Sequence, residues 1–284
     1  MATGYNSKQI DMKAELAEHS GIQRQRSGAF TLLELMLVVA IIAVLAGMAL
    51  PHLRGISKSN SMQAATRQLL DDVALARQRA LAHRTDVYMV FLSGTVLDDS
   101  DNRAAYGALS AQAANELGSL LHGELRGYAL IELRSVGDQP GQSHPRYLTQ
   151  WRKLPEGVYI PEYKFGTDRI SVVENNVPER VVVIIPFSTN LFQFPYINSG
   201  VNFTPIYFTL PFIKFNSQGQ CVSPETGNPG DVEYIPLTHG SVFYMTNTIS
   251  VIETPPGNSI TNYNLIHIDR MTGRAKLERK EIPQ

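Results

Sequence analysis

Hydrophobic and polar positions divide this chain into three zones. Residues 1–29 are polar and mixed in charge, residues 30–53 hold a single charged side chain, Glu34, and the remainder is an ordinary globular mixture. The central zone opens with an apolar run from Phe30 to Leu50, FTLLELMLVVAIIAVLAGMAL. Its 21 residues predict a helix about 31 Å long, enough to cross a hydrocarbon core. The run is too long for the apolar part of a cleaved secretory signal and lacks a small-x-small site on its far side. Arg24 and Arg26 precede it and Arg54 and Lys58 follow it, so charge bias alone leaves its orientation open.

Beyond Pro51 a helical period resumes. In SMQAATRQLLDDVALARQRALAH, from Ser61 to His83, Met62, Ala65, Leu69, Val73, Ala76 and Ala80 recur at spacings of three and four. They draw one apolar stripe. Gln68, Asp71, Asp72, Gln78 and Arg79 fall largely off it; Asp72 and Ala76 are followed by Arg79, so a few intrahelical ion pairs, each small, are expected. The long helix is expected to bend at Pro51 and Gly55 and to lay its second half on a soluble domain. After His83 the period shortens to two. Strands are predicted at Asp86–Leu92, Tyr128–Arg134, Gly157–Ile160, Val181–Ile185, Ile206–Phe215, Ser241–Met245 and Asn264–Ile268. Ser217–Gln220 and Met271–Arg274 read as tight turns, the second joining Leu265–Asp269 to Ala275–Glu278 as a hairpin. Residues 98–123 are rich in Ala and Leu and predict a short helix. Fifteen of the 16 prolines lie beyond residue 135, which assigns helix to the first third and strands with loops to the rest.

Composition narrows the classes. The net charge of −1 gives no general argument for nucleic acid as a partner. The single cysteine, Cys221, excludes an intramolecular disulfide, so the fold must hold by packing. Cys221 itself reads as a small buried apolar residue rather than a nucleophile. No GxSxG, Walker loop, GxGxxG or HExxH is present, and the seven histidines are scattered. No enzyme chemistry, cofactor or metal centre is indicated.

The sharpest feature is Glu34. A carboxylate inside an apolar helix costs about 2.5–3.5 kcal/mol on insertion scales, so it should have a partner or a function. Cleavage before Phe30 would supply a free amino group four residues away, one helical turn. That amine could pair with Glu34 of the same chain or of a neighbour, fixing the axial register of packed helices.

The segment SGAFTLLELMLVVAIIAVLAGMALP resembles the N-terminus of type IV prepilins and type II secretion pseudopilins. The resemblance implies a peptidase cut at the cytoplasmic face after a small residue, usually glycine, and methylation of the new N-terminus. It also implies glutamate fifth and proline usually twenty-second in the mature chain. Counting from Phe30, Glu34 is fifth and Pro51 twenty-second. This register puts the cut after Ala29, with Gly28 one residue further back. A cut after Gly28 would shift both anchors by one. The leader is long for the family, and Met12 is an alternative start. RQLLDDVALARQRALAHRTDVYMVFL, residues 67–92, is similar to the GspH/FimT group of minor pilins and pseudopilins, in which an amphipathic helix runs straight into a first strand. Trp151–Val158, Ile213–Gly219 and Leu265–Ala275 also look like that group's strand and turn signals. The stretches 93–127 and 161–207 are longer than typical and are where partner surfaces would sit.

The resemblance implies an α+β type IV pilin fold, a long N-terminal helix packed on an antiparallel β-sheet headpiece. The expected organisation is a leader at 1–29, a membrane and filament-core helix at 30–53, an amphipathic continuation at 54–84, and a β-rich periplasmic domain at 85–284. The implied partners are the prepilin peptidase, other pilins through the N-terminal helix, and an inner-membrane assembly platform. The implied location is the bacterial inner membrane, N-terminus inside. Two weaker signals remain. Asp98, Asp99 and Asp101 have the oxygen density of a Ca²⁺ site without EF-hand spacing, and a solvated acidic loop is the favoured reading. Gly273-Arg274-Ala275-Lys276 is similar to a basic turn with which some FimT-like pilins bind DNA. Arg270, Arg274, Lys276, Arg279 and Lys280 crowd that region against Glu278 alone. A hairpin with solvated basic ends is the favoured reading there.

Overall fold

The computed structural model describes residues 31–94, 96–134, 137–139, 145–173, 181–193, 206–222, 232–245 and 248–278. The chain divides into two units, Met1–Leu53 and Arg54–Gln284. One helix, α1 (Leu32–His83), is assigned without an end at Pro51 or Gly55. Within the second unit its last turns follow the expected stripe. Met62, Ala65, Leu69, Val73, Ala76 and Ala80 are all buried. Three alanines in that stripe let strands approach the helix closely, and the leucine, valine and methionine fill the space between them. The helix stops where Arg84 turns to a positive φ of 54°, a left-handed conformation that ends helical hydrogen bonding.

Among the described residues all strand pairings are antiparallel. The first sheet centres on β1 (Val87–Phe91), between β2 (Gly127–Glu132) and β9 (Tyr207–Phe215). β2 carries β3 (Arg146–Tyr147) and β4 (Arg152–Lys153) on its far edge, and β9 carries β8 (Ser188–Gln193) and β10 (Cys221–Val222). Every residue of β1 and β2 is buried, because both faces of this sheet are covered. Val87, Met89, Phe91, Tyr128, Leu130, Ile213 and Phe215 face α1. Tyr88, Val90, Phe208, Leu210 and Phe212 face the other way, onto Leu117 and Leu121. Those two leucines belong to α3 (Ala111–Leu121), which follows α2 (Ser100–Gly107). The long stretch 93–127 is therefore two helices, where one short helix was expected, and it is a lid over the outer face of the sheet.

The second sheet is built on β11 (Glu233–Met245), a strand that changes partners midway. Residues 233–238 pair with β13 (Tyr263–Ile268), 238–239 with β5 (Val158–Tyr159), and 240–245 with β12 (Thr248–Glu253). Gly240 sits at the switch, where a Cβ would come within 2.6 Å of the Tyr159 ring. β14 (Ala275–Glu278) completes the sheet beside β13 as the expected hairpin. Its inner face supplies Ile235, Leu237, Ile266 and Ile268 to the same cluster as the α1 stripe. Its outer face, through Leu265, meets Val172, Val182 and Ile184 of the ribbon β6 (Ile170–Val173) and β7 (Val181–Ile184). The second long stretch, 161–207, thus also covers sheet surface.

Two expectations are corrected. Asp72 is buried rather than solvated, and its partners lie outside the helix. It receives a hydrogen bond from the Tyr128 hydroxyl at 2.6 Å and is ion-paired with Arg152. The helical wheel places Asp72 beside Ala65 and Ala76 at one edge of the buried stripe, where a donor from elsewhere in the same chain must satisfy it. The strand reading also missed β3, β4, β6, β8, β10 and β12, and the first half of β11. These segments are short, mixed in polarity, or interrupted by Pro236. Cys221 is buried and free, as its sequence context implied.

Two stability predictions follow from this packing. Gly273 has φ +62°, and a Cβ there would overlap the Gly219 carbonyl. Gly273→Ala should destabilise the second unit by about 2 kcal/mol or more, read as a lowered unfolding midpoint; an unchanged midpoint would contradict the turn–turn contact. Glu124 is 5% exposed, and burial, with Asp98 adding to it, pushes its pKa up to about 8 from 4.5. A raised carboxylate pKa favours the fold fully below the unfolded value, and that contribution is lost as pH rises from 4.5 through 8. Glu124→Gln should therefore flatten the decline in stability between pH 5 and pH 9, gaining on the order of 2 kcal/mol at pH 9. Parallel pH curves for the two proteins would refute the assignment.

Candidate assembly site on the N-terminal helix

The described N-terminus of α1 is capped by Thr31. Its Oγ1 accepts from the Glu34 backbone N–H at 3.2 Å, and its carbonyl accepts from the Leu35 N–H at 3.1 Å. Thr31 thus holds the position just ahead of the first helical turn, and Glu34 is three residues further on, the acidic residue of that turn. Thr-x-x-Glu at this spacing is the pattern of a capping box. The unsatisfied N–H groups at a helix start also carry partial positive charge, which favours a carboxylate there. Thr31 was not among the residues singled out from the sequence. The signal was readable, a hydroxyl residue three positions ahead of a lone glutamate at the head of an apolar run. The cap fixes where the helix starts, and hence where Glu34 stands relative to the chain's new end if the peptide bond before Phe30 is cut. Gly28, Ala29 and Phe30 lie outside the described residues.

The side chains that follow are apolar and unburied. Every residue from 32 to 47 is exposed, the large apolar side chains from 79% at Leu32 to 42% at Val38. Residues lie on all sides of the helix, so this is not an amphipathic element with one face left over. At about 25 cal/mol per Å² of apolar surface, such a helix is strongly driven out of water. Among the described residues no helix is long and apolar enough to cross a membrane; the described side chains of this run end at Gly47. Ala40, Ala43 and Gly47 recur at helical spacing, and a Cβ at Gly47 would meet nothing within 4 Å. Pro51 lies within the α1 backbone.

The other residues singled out from the sequence go elsewhere. Asp99 is spent on capping α2, its carboxylate accepting from the Asp101 and Asn102 N–H groups at 2.9 and 3.0 Å. Asp98 stands 3.9 Å from Arg103. Among the described residues no group of three or more His, Cys, Asp or Glu side chains is placed to hold a metal ion. The basic C-terminal stretch is divided. Arg270 is turned inward and bonds to Glu233 at 2.9 Å, so it is no part of an exposed basic face. Arg274 and Lys276 are exposed, and Arg279 and Lys280 lie outside the described residues.

No curated protein matches the chain, and no solved structure matches it. Residues 24–50 match the family model described as the prokaryotic N-terminal methylation motif. The matched span includes Phe30, Thr31 and Glu34 and ends at the last residue of the apolar run. Residues 24–50 therefore carry a prepilin-type N-terminal methylation motif.

Proposed function

We propose that this chain is a minor pilin or pseudopilin, a structural subunit of a type IV pilus or type II secretion pseudopilus. The observation that carries the reading is the methylation motif at residues 24–50, with Glu34 as the sole charge in 30–53. On this reading the peptidase cuts after Ala29, Phe30 becomes the methylated N-terminus, and residues 30–53 first lie in the inner membrane with the C-terminal unit in the periplasm. The sequence run continues from the described side chains to Leu50, which restores the length a bilayer requires. An inner-membrane assembly platform then transfers the helix into a filament, where the apolar side chains left exposed in the single chain pack on those of other pilins. Ala40, Ala43, Ala46 and Gly47 favour close helix approach where packing, rather than water, drives association. The GspH/FimT group is supported by the order of elements, an amphipathic helix running directly into a buried first strand.

Glu34 then has two tasks at successive stages. Before assembly it is the first-turn carboxylate of a capped helix. In the filament it meets a terminal amine, its own or a neighbour's, and selects the register in which no charge is left unpaired. Glu34→Leu should insert and be processed normally but be at least tenfold depleted from sheared filaments, measured by immunoblot of the filament fraction. Incorporation at the wild-type level would sink the register role. Failure of processing would assign Glu34 to peptidase recognition instead.

A further inference from the structure

The stretch 93–127 leaves the first sheet and returns to it through a narrow neck. The Leu92 N–H donates to the Gly127 carbonyl at 2.9 Å, and the Leu125 N–H donates to the Leu92 carbonyl at 2.8 Å. The Leu125 carbonyl accepts from the Ile160 N–H at 2.9 Å. Between these bonds Leu125 is held at a φ of 61°, a left-handed conformation that a residue with a Cβ rarely adopts. Beyond the neck the lid has two unequal halves. α2 is pinned by the buried Asn102, which donates to the Thr209 carbonyl at 3.1 Å and accepts from the Thr209 N–H at 2.7 Å. α3 docks through the apolar burial of Leu117 and Leu121.

Glu124 stands just inside the neck, at the joint between α3 and β2. It is buried, and among the described residues no side chain donates to its carboxyl group. The charge that faces it is Asp98, on the loop by which the chain enters the lid. Entry and exit of the lid therefore meet as two carboxyl groups. Asp98 is itself exposed, 3.9 Å from Arg103. Around the joint stand Tyr244 of β11, with Tyr106 near it, and His122, whose ring centre is 4.6 Å from that of Tyr244. Lys153 of β4 passes Gly123, and its Nζ lies 3.5 Å from the Ser119 carbonyl. Arg126 is turned away, donating to the Leu154 carbonyl at 2.9 Å. Burial and Asp98 both disfavour a carboxylate at position 124. Ionisation would leave an unpaired charge in the joint, facing a second of the same sign, and undocking would return it to water.

We propose that Glu124 makes the lid a pH-sensitive cover: α3 stays docked while the carboxyl group is protonated and leaves the sheet when it ionises. Undocking uncovers the apolar face formed by Tyr88, Val90, Phe208, Leu210 and Phe212. The device stands apart from the filament reading, since it lies wholly within Arg54–Gln284 and uses no residue of the N-terminal motif. The docked pKa is raised from 4.5 to about 8, so the closed lid is fully favoured below 4.5 and that preference is lost as pH rises through 8. Across this window the opening equilibrium should grow about tenfold per pH unit, and it should level off above it. The test is native-state hydrogen exchange of the detergent-solubilised full chain, read by peptide mass spectrometry and corrected for the intrinsic pH dependence of exchange. Opening of residues 111–121 should rise about a hundredfold from pH 5 to pH 7. Glu124→Gln, which keeps the shape of the neutral acid, should hold it flat. His122→Gln should retain the rise, which separates the carboxyl group from the imidazole beside it. Asp98→Asn should bring the levelling-off to lower pH. A flat wild-type series, or a rise that persists in Glu124→Gln, would overturn the proposal. So would an opening equilibrium shared by residues 111–121 and β1, because the lid would then have no motion of its own.

Discussion

The second unit depends on one narrow stripe of small and medium side chains on α1. Ala65, Leu69, Val73, Ala76 and Ala80 have no exposed surface, and they meet inward-facing residues of both sheets in a single cluster. Alanines at three of these positions keep the helix close to the strands, and the bulky side chains of the core, among them Phe91, Tyr128, Phe215 and the isoleucines of β11 and β13, come from the sheets. Any larger residue in the stripe would push the sheets apart. Everything else in the second unit is arranged around that contact. The first sheet is covered on its far side by α2 and α3, the second by the β6–β7 ribbon, and the turns at Gly219 and Gly273 close against one another. The Arg77 Nε donates to the Thr272 carbonyl at 2.6 Å, tying the helix to the second of those turns.

Packing so close leaves little water for charges, and the polar groups at the boundary are paired accordingly. Asp72 has Arg152 and Tyr128. Glu132, fully buried at the end of β2, has His83 at 2.8 Å and Arg146 at 2.7 Å, so the last residue of α1 is latched to the edge of the sheet. Buried pairs like these contribute little net stability, but breaking one leaves a charge without solvent. They act more as registration marks than as glue, holding the helix at one rotation and one height on the strands. The third cluster, in which Glu233 pairs with Lys164 and Arg270, follows the same pattern of one carboxylate held by two donors.

The sequence made the helix stripe legible because its period is regular and unbroken from Met62 to Ala80. It also made β1, β2, β9 and the β13–β14 hairpin legible, where apolar runs are bounded by turn residues. It hid the short edge strands, since two-residue pairings such as β4 and β10 carry no period at all. It also hid the inward turn of Asp72 and Arg270, because a charge looks alike in one dimension whether it faces water or a partner far along the chain. At the N-terminus the reverse holds. The spacing of Phe30, Glu34 and Pro51 could be counted in the sequence, and so could Thr31 three residues ahead of Glu34, though it was the hydrogen bond that starts the helix that drew attention to it. The long stretches 93–127 and 161–207 were expected to carry partner surfaces; their described apolar residues, such as Leu117, Leu121, Val172 and Val182, also cover the two sheets.

The account rests on a chain that is cut in one place. Intact mass and N-terminal peptide mass spectrometry of the membrane-extracted protein test it most directly. The account predicts a mature chain beginning at Phe30, one methyl group heavier on its terminal amine. A mature chain beginning at Ala29, or an unprocessed N-terminus in cells that hold the peptidase, would contradict the register on which the role of Glu34 depends.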